Sequence, residues 1–334
     1  MNICVIRFSS LGDVILTQPI TRWLRERWPG ASVIFVTKPV NVPVALMFGT
    51  VDRIVEWRND ARATAAEIGE IDLTVDLQAK LNSWLLCRAL KSVRTVRYNK
   101  RRLTRWAIVH GFGNAAIDTT LDLYASALKP LGLNEKLPWP QLHPDDAAHA
   151  IDELFVQYGV IPRKTLIGVF PGARHATKRY PAEYFACLIN RVPDDWNCQF
   201  LLCGSSDDKP QAVDILRETE GVIDLTGATD TGGLARLIQR LDCVISNDSG
   251  PMHIAAALQK PQIALFGATH PRLGFRPLND NAVVVTSDLR CQPCSLHGGK
   301  TCPRNHFRCL RGVHPAWLAD KFRHLLEEQV WNLP

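Results

Sequence analysis

What the 334-residue chain lacks narrows it first. No run of roughly 18 or more apolar residues occurs, so no helix is expected to span a membrane. The opening MNICVIRFSS enters a strand-like run without a basic region ahead of an apolar core. A secretory leader is therefore not expected, and the cytoplasm is the predicted compartment. The first strand-to-helix loop has neither G-x-G-x-x-G spacing nor a following G-K-[ST], which removes a dinucleotide fingerprint and a Walker A loop. No G-x-S-x-G elbow is present, which argues against an α/β-hydrolase nucleophile. No short repeat and no recognised nucleic-acid motif occur.

What is present is an ordinary globular composition, 46% apolar and 22% charged. The length exceeds what one core usually organises, so two domains are expected. A net charge of +6 permits an acidic partner: a phosphorylated substrate, a membrane surface or nucleic acid.

The ten cysteines divide into two groups. Cys4, Cys87, Cys187, Cys198, Cys203 and Cys243 are scattered through apolar segments and read as small buried hydrophobes. Cys291, Cys294, Cys302 and Cys309 form C-x-x-C-x₇-C-x₆-C with His297 and His306 inside it. In a chain without an export signal this cluster reads as metal ligands, with reduced packing cysteines or disulfides as the alternatives. Zinc suits a Cys₄ or Cys₃His site and iron suits four thiolates; either would be structural.

Strand-like runs alternate with helical ones. Ile3–Ile6, Ser32–Thr37, Arg53–Trp57, Leu73–Leu77 and Thr95–Tyr98 read as strands of a first domain. Helices are expected at Val14–Trp28 (with Pro19 able to kink it), Asn41–Phe48, Ala61–Glu70, Leu81–Leu90 and Asp118–Leu131. Pro-rich sequence over 133–146 leads to a helix at Asp146–Tyr158, and the domain boundary is placed near 160. The pattern restarts at Thr165–Phe170 and continues through Gln199–Cys203, Gly221–Leu225, Cys243–Ser246, Gln262–Phe266 and Ala282–Thr286. A helix at His314–Trp331 closes it. The predicted class is α/β, with two parallel-sheet domains (1–160 and 161–334) and a ligand cleft at the sheet ends.

Three loops carry candidate chemistry. Ser9, Ser10 and Asp13 occupy the first strand-to-helix loop, where an aspartate can also serve the helix dipole alone. Arg174, Lys178 and Arg179 follow the strand Thr165–Phe170. Asp248, Ser249 and Gly250 form a turn before Pro251, with His253 in the helix beyond; such a helix start suits an anion. Asp248, being negative, fits better as a brace for the turn, a sugar-hydroxyl partner or a partner of His253. Between Arg94 and Arg105 lie six basic residues (Arg94, Arg97, Lys100, Arg101, Arg102, Arg105) and no acidic one: a solvated face or a docking patch for phosphates.

IRFSSLGDVILTQP, FPGARHATKRYPAEYF, GSSDD and ISNDSGPMHIAAAL, in this order over nearly the whole chain, resemble glycosyltransferase family 9, the lipopolysaccharide heptosyltransferases. The resemblance implies GT-B architecture, two Rossmann-like domains facing each other across a cleft, with acceptor bound by the first and nucleotide sugar by the second. It implies inverting transfer from ADP-heptose to the inner core of lipopolysaccharide at the cytoplasmic leaflet, with the enzyme peripheral to the inner membrane. No metal would be needed for catalysis. By the family pattern Asp13 is the base and Lys178 meets phosphate. Ser9, Ser10, Asp248, Ser249, Gly250 and His253 lie around the diphosphate, and Asp207 or Asp208 holds the ribose. Arg174 could add positive potential. Where the family often has Q-G-L-x-K-S, this chain has Gln78-Ala79-Lys80-Leu81-Asn82-Ser83, a departure that bears on the acceptor. Asn82, Arg97, Arg101, Arg102 and Arg105 are the acceptor candidates. Part of the family carries similar cysteine segments, one branch with iron. The cysteine segment favours the second-heptose branch. The alternatives are a family 9 enzyme using another nucleotide sugar or a protein acceptor, and a non-catalytic nucleotide-sugar or nucleic-acid binding module.

Overall fold

A computed structural model describes residues 1–145, 148–287 and 289–331. It consists of two compact units, each built on a parallel sheet flanked by helices. The first takes Met1–Arg102 and Asp118–His143; the second takes Leu103–Ile117 and the chain from Pro144 onward.

In the first unit, five strands run β1 (Asn2–Ile6), β2 (Ser32–Thr37), β3 (Arg53–Glu56), β4 (Leu73–Asp76) and β5 (Arg94–Arg97). Their order across the sheet is β3-β2-β1-β4-β5. β1 is central because Ile3–Ile6 is apolar on both faces, and a strand covered on both sides must be so. β5 lies at the edge, with only Val96 buried and charged residues outward, a composition that discourages edge pairing. Pro19 does more than kink a long helix. The chain forms a short helix Leu11–Ile15, breaks, and restarts as Gln18–Arg27 with Pro19 in its first turn, where the missing N–H costs nothing. The segment expected to be helical over Asp118–Leu131 is likewise divided, into Thr120–Ala125 and a tight turn at Lys129–Leu131.

In the second unit, six strands run β6 (Thr165–Phe170), β7 (Cys198–Leu202), β8 (Ile223–Asp224), β9 (Cys243–Asn247), β10 (Gln262–Leu265) and β11 (Ala282–Val285). They are ordered β11-β10-β9-β6-β7-β8. The core between sheet and helices is dense with Ile167, Val169, Phe185, Ile245, Leu265 and Phe322. Helix Ala148–Tyr158 belongs to this unit: Arg240 Nη1 bonds Asp152 Oδ1 at 2.7 Å and its guanidinium lies 5.5 Å from the Phe155 ring. Asp146, the expected first residue of that helix, lies outside the described residues. The helix Arg102–Val109 was not expected, because the basic run masks the apolar residues Leu103, Trp106 and Ala107, spaced at i, i+3 and i+4. Among the described residues no helix is long and apolar enough to cross a membrane.

Candidate active-site residues

The first loop leaves the sheet where strand order reverses: β2 lies on one side of β1 and β4 on the other. At such a switch point the connecting loops diverge and leave room for a ligand. The loop is pinned before any ligand arrives. Phe8 N donates to Gln78 Oε1 at 3.1 Å, Asn41 Nδ2 donates to Phe8 O at 3.0 Å, and Phe8 stacks on Trp57 at 4.3 Å.

Asp13 sits in the helix turn that Ser10 caps. Its Oδ2 accepts from Ser10 N (3.2 Å) and Ser10 Oγ (2.9 Å) and pairs with Arg7 Nη2 at 2.6 Å. Its Oδ1 accepts from the Tyr124 hydroxyl at 2.7 Å. Burial alone would raise the Asp13 carboxyl. The Arg7 charge and the bonds from Tyr124 and Ser10 overrule that and hold it well below the usual carboxylate range. Oδ2 has three partners and Oδ1 one, so Oδ1 is the oxygen with capacity left to accept a proton. Both readings of Asp13 therefore coexist: it braces the turn and presents an ionised carboxylate.

Arg7 and Tyr124 were not anticipated from the sequence. Arg7 had a faint signal, a lone cation at the end of a buried strand; Tyr124 is 111 residues from Asp13 and had none. Burial, opposed by the Arg7 charge and aided by the Asp13 charge, holds the Tyr124 hydroxyl well above its ordinary range, so it acts as a donor. Tyr124→Phe should slow turnover about 10-fold, consistent with losing one charged hydrogen bond, and leave ADP affinity unchanged. Its second signature is a raised Asp13 pKa, seen by carboxyl-carbon NMR titration. An unmoved titration would leave Tyr124 a packing residue.

The acceptor candidates are dispersed. Arg97 Nε pairs with buried Asp76 Oδ2 at 2.7 Å, a brace between β4 and β5. Asp76 Oδ1 also receives Gln78 N and Ala79 N, which shapes the turn before helix Leu81–Leu90. Asn82, Arg101 and Arg102 are exposed. Arg105 belongs to the second unit, its guanidinium 5.6 Å from the Phe275 ring.

The second sheet reverses order between β6 and β9, and the loops after these two strands carry the other candidates. Asn247, ending β9, ties the loops together: Nδ2 donates to Pro171 O at 2.8 Å and Oδ1 accepts from Tyr180 N at 3.0 Å. Lys178 Nζ lies 2.7 Å from Asp248 Oδ2, both largely buried, and Thr269 Oγ1 donates to the same oxygen at 2.6 Å. Asp248 thus braces Lys178, a pairing that no local sequence pattern signals. Ser249 Oγ is shielded from solvent and has no hydrogen-bond partner among the described residues, at the start of helix Gly250–Ala257. His253 is buried in that helix, and Arg174 is exposed. Asp208 is engaged: its Oδ2 receives Ser205 N and Ser205 Oγ, each at 2.9 Å. Asp207 is exposed.

The cysteine segment is stitched to the Lys178 loop. Thr177 N donates to Gly299 O at 3.1 Å, and Gly299 N donates to Thr177 Oγ1 at 2.8 Å. Gly298, at φ +91°, faces His175 and Lys178; a Cβ there would come within 2.8 Å of His175 Cβ, so only glycine fits. Gln292 Nε2 donates to the carbonyls of Phe266, Gly267 and Thr269, which fixes the loop that supplies Thr269 to Asp248. All ten cysteines are unpaired. Burial first, and then the neighbouring Cys294, push the Cys309 thiol up to about 11. Cys291 Sγ lies 3.7 Å from His306 Nε2. Among the described residues no three His, Cys, Asp or Glu side chains converge in a metal-holding arrangement.

Residues 62–303 match the sequence pattern of glycosyltransferase family 9 (heptosyltransferase). The chain is 26% identical to lipooligosaccharide heptosyltransferase 2 of Campylobacter jejuni, over 95% of this chain and 96% of that protein. It is also 26% identical to lipopolysaccharide heptosyltransferase 2 of Salmonella typhimurium, over 98% and 99%. The solved structure of Escherichia coli ADP-heptose lps heptosyltransferase II has the same fold, with a TM-score of 0.78 at 22% identity over 98% of this chain and 99% of that one.

Proposed function

The chain belongs to glycosyltransferase family 9 and is a glycosyltransferase, and from that membership we propose that it transfers L-glycero-D-manno-heptose from ADP-heptose to the inner core of lipopolysaccharide. The observation that carries the reading is the ionised Asp13 carboxylate at a switch point, with one oxygen able to take a proton. The acceptor hydroxyl oxygen attacks C1 of the heptose. The C1–O bond to phosphate breaks, ADP leaves with the bonding pair, and the hydroxyl proton passes to Asp13 Oδ1. Attack opposite the leaving group inverts the anomeric centre.

Lys178, braced by Asp248, takes the charge that grows on the departing diphosphate, and the amides at the start of helix Gly250–Ala257 add to it. Ser9 and Ser249 supply hydroxyls to the diphosphate, Ser10 lies beside it with its hydroxyl given to Asp13, His253 stands behind the Ser249 turn and Arg174 adds potential. With Asp208 engaged in its own turn, Asp207 is the carboxylate for the ribose hydroxyls. Asn82, Arg97, Arg101, Arg102 and Arg105 are assigned to the acceptor. The acceptor lies at the cytoplasmic leaflet, with the enzyme peripheral to the inner membrane. Alanine and asparagine in Gln78–Ser83 favour one second reading, a family 9 enzyme with a different sugar or acceptor. A donor panel of ADP-heptose, ADP-glucose, UDP-glucose and GDP-mannose, read by release of nucleotide, separates the two. Release from ADP-heptose alone is expected, and release only from another donor overturns the proposal.

Cys291, Cys294, Cys302 and Cys309 have the donor chemistry for one structural zinc or iron ion, which would replace the missing apolar core of a loop rich in Gly, Lys and Arg. One ion per chain is expected by elemental analysis of tag-free protein. Its chelation should lower the melting temperature and, through the Thr177–Gly299 bonds, weaken ADP binding. Four freely titratable thiols in folded, metal-free protein would contradict the site.

A further inference from the structure

Helix Leu81–Leu90 is apolar on two faces. Ser83, Leu86 and Leu90 face the core. Leu81, Trp84 and Leu85, with Arg88 at the next turn, recur at i, i+3, i+4 and i+7 on the outer face. Leu81 is 70% exposed, Trp84 42% and Leu85 45%; Val93, just past the helix end, is 88% exposed. Helix Gln18–Arg27 of the same unit, by contrast, turns charge outward with Arg22, Arg25, Glu26 and Arg27. A contiguous outward stripe of Leu, Trp and Leu marks a surface that another phase or molecule covers.

Charge says which. From Leu77 to Arg102 the sequence holds eight Lys and Arg and no Asp or Glu. Lys80, Arg88 and Lys91 are exposed beside the stripe, and the Arg88 guanidinium lies 5.0 Å from the Trp84 ring. A second copy of this chain would oppose the same positive charges to themselves. An anionic lipid surface accepts both components: headgroups neutralise the cations, while Trp and Leu enter the headgroup–acyl boundary. We infer that the outer face of helix Leu81–Leu90, with its basic border, seats the protein on anionic lipid bilayers.

The use of this contact rests on the proposed lipid-borne acceptor, but the contact is measured without donor or acceptor. The probe is flotation with vesicles of phosphatidylcholine, with and without about 30% phosphatidylglycerol. Wild-type protein should float with the anionic vesicles and detach in high salt. Leu81→Ser/Trp84→Ser/Leu85→Ser should reduce partition at least about fivefold with an unchanged melting temperature, and Trp84→Ser alone at least about twofold. Transfer to a soluble, delipidated core sugar should be unaffected. Wild-type protein that stays unbound, or variants that float like wild type, would overturn the inference. So would sedimentation velocity showing that the substitutions abolish a dimer while vesicle binding persists. Failure of transfer to the soluble sugar, with vesicle binding intact, would instead count against the proposed reaction.

Discussion

Asp13→Asn protein is expected to bind ADP as wild type does and to turn over about 10²–10⁴-fold more slowly. Asparagine keeps the shape, but its single amide oxygen can accept either from Tyr124 or from the Arg7 and Ser10 side, not from both, and it cannot take the acceptor proton. The depressed Asp13 pKa makes the carboxylate a weak base. A weak base suffices if the proton moves late, once C1–O bond formation has made the hydroxyl acidic. What the enzyme gains is a carboxylate that carries no proton at working pH until the acceptor hands one over. The pH dependence follows with a definite sign. Asp13 is held below the ordinary carboxylate value of about 3.9, so turnover between about pH 5 and 8 should show no acidic limb from this group. Its contribution to stability is full above about pH 3.9 and is lost as pH falls through the lower folded value. An acidic limb with a midpoint near 6 that disappears in Asp13→Asn would contradict this environment.

Lys178→Ala should lower kcat/KM by about 10²–10³-fold, with part of the loss in ADP affinity. Two effects add. The leaving phosphate loses its cation, and Asp248, largely buried, is left with a stranded negative charge close to where phosphate must sit. The second effect can be removed independently. Lys178→Ala/Asp248→Asn should recover ADP affinity relative to the single variant, because the stranded charge is gone, while turnover stays low because the cation is still missing. Equal ADP affinity in wild type and both variants would place Lys178 outside the donor site.

Much of this was legible in the sequence because it is local. Strands such as Ile3–Ile6 and Ile263–Leu265 are short apolar runs bounded by turn residues, and that pattern alone makes a buried parallel strand. Asp13, Lys178 and the Asp248-Ser249-Gly250 turn could be singled out because each lies in a loop directly after such a strand. Partners set by packing were not legible. Tyr124 reaches Asp13 from 111 positions away, and Thr269 reaches Asp248 from a loop that Gln292 holds in place. The partner of Arg97 was likewise hidden: Asp76 ends a neighbouring strand and is invisible in a window around residue 97. The helix Arg102–Val109 was concealed for the opposite reason: its charges are local and dominate the pattern, while the contacts that fold it, such as Arg105 with Phe275, are distant.

The most direct test is mass spectrometry of a truncated lipopolysaccharide core acceptor after incubation with the purified protein and ADP-heptose. Acceptor extended by one heptose is expected, with ADP released in equal amount, and no extension with Asp13→Asn. Release of ADP without an extended acceptor, or undiminished extension by Asp13→Asn, would contradict the proposed transfer.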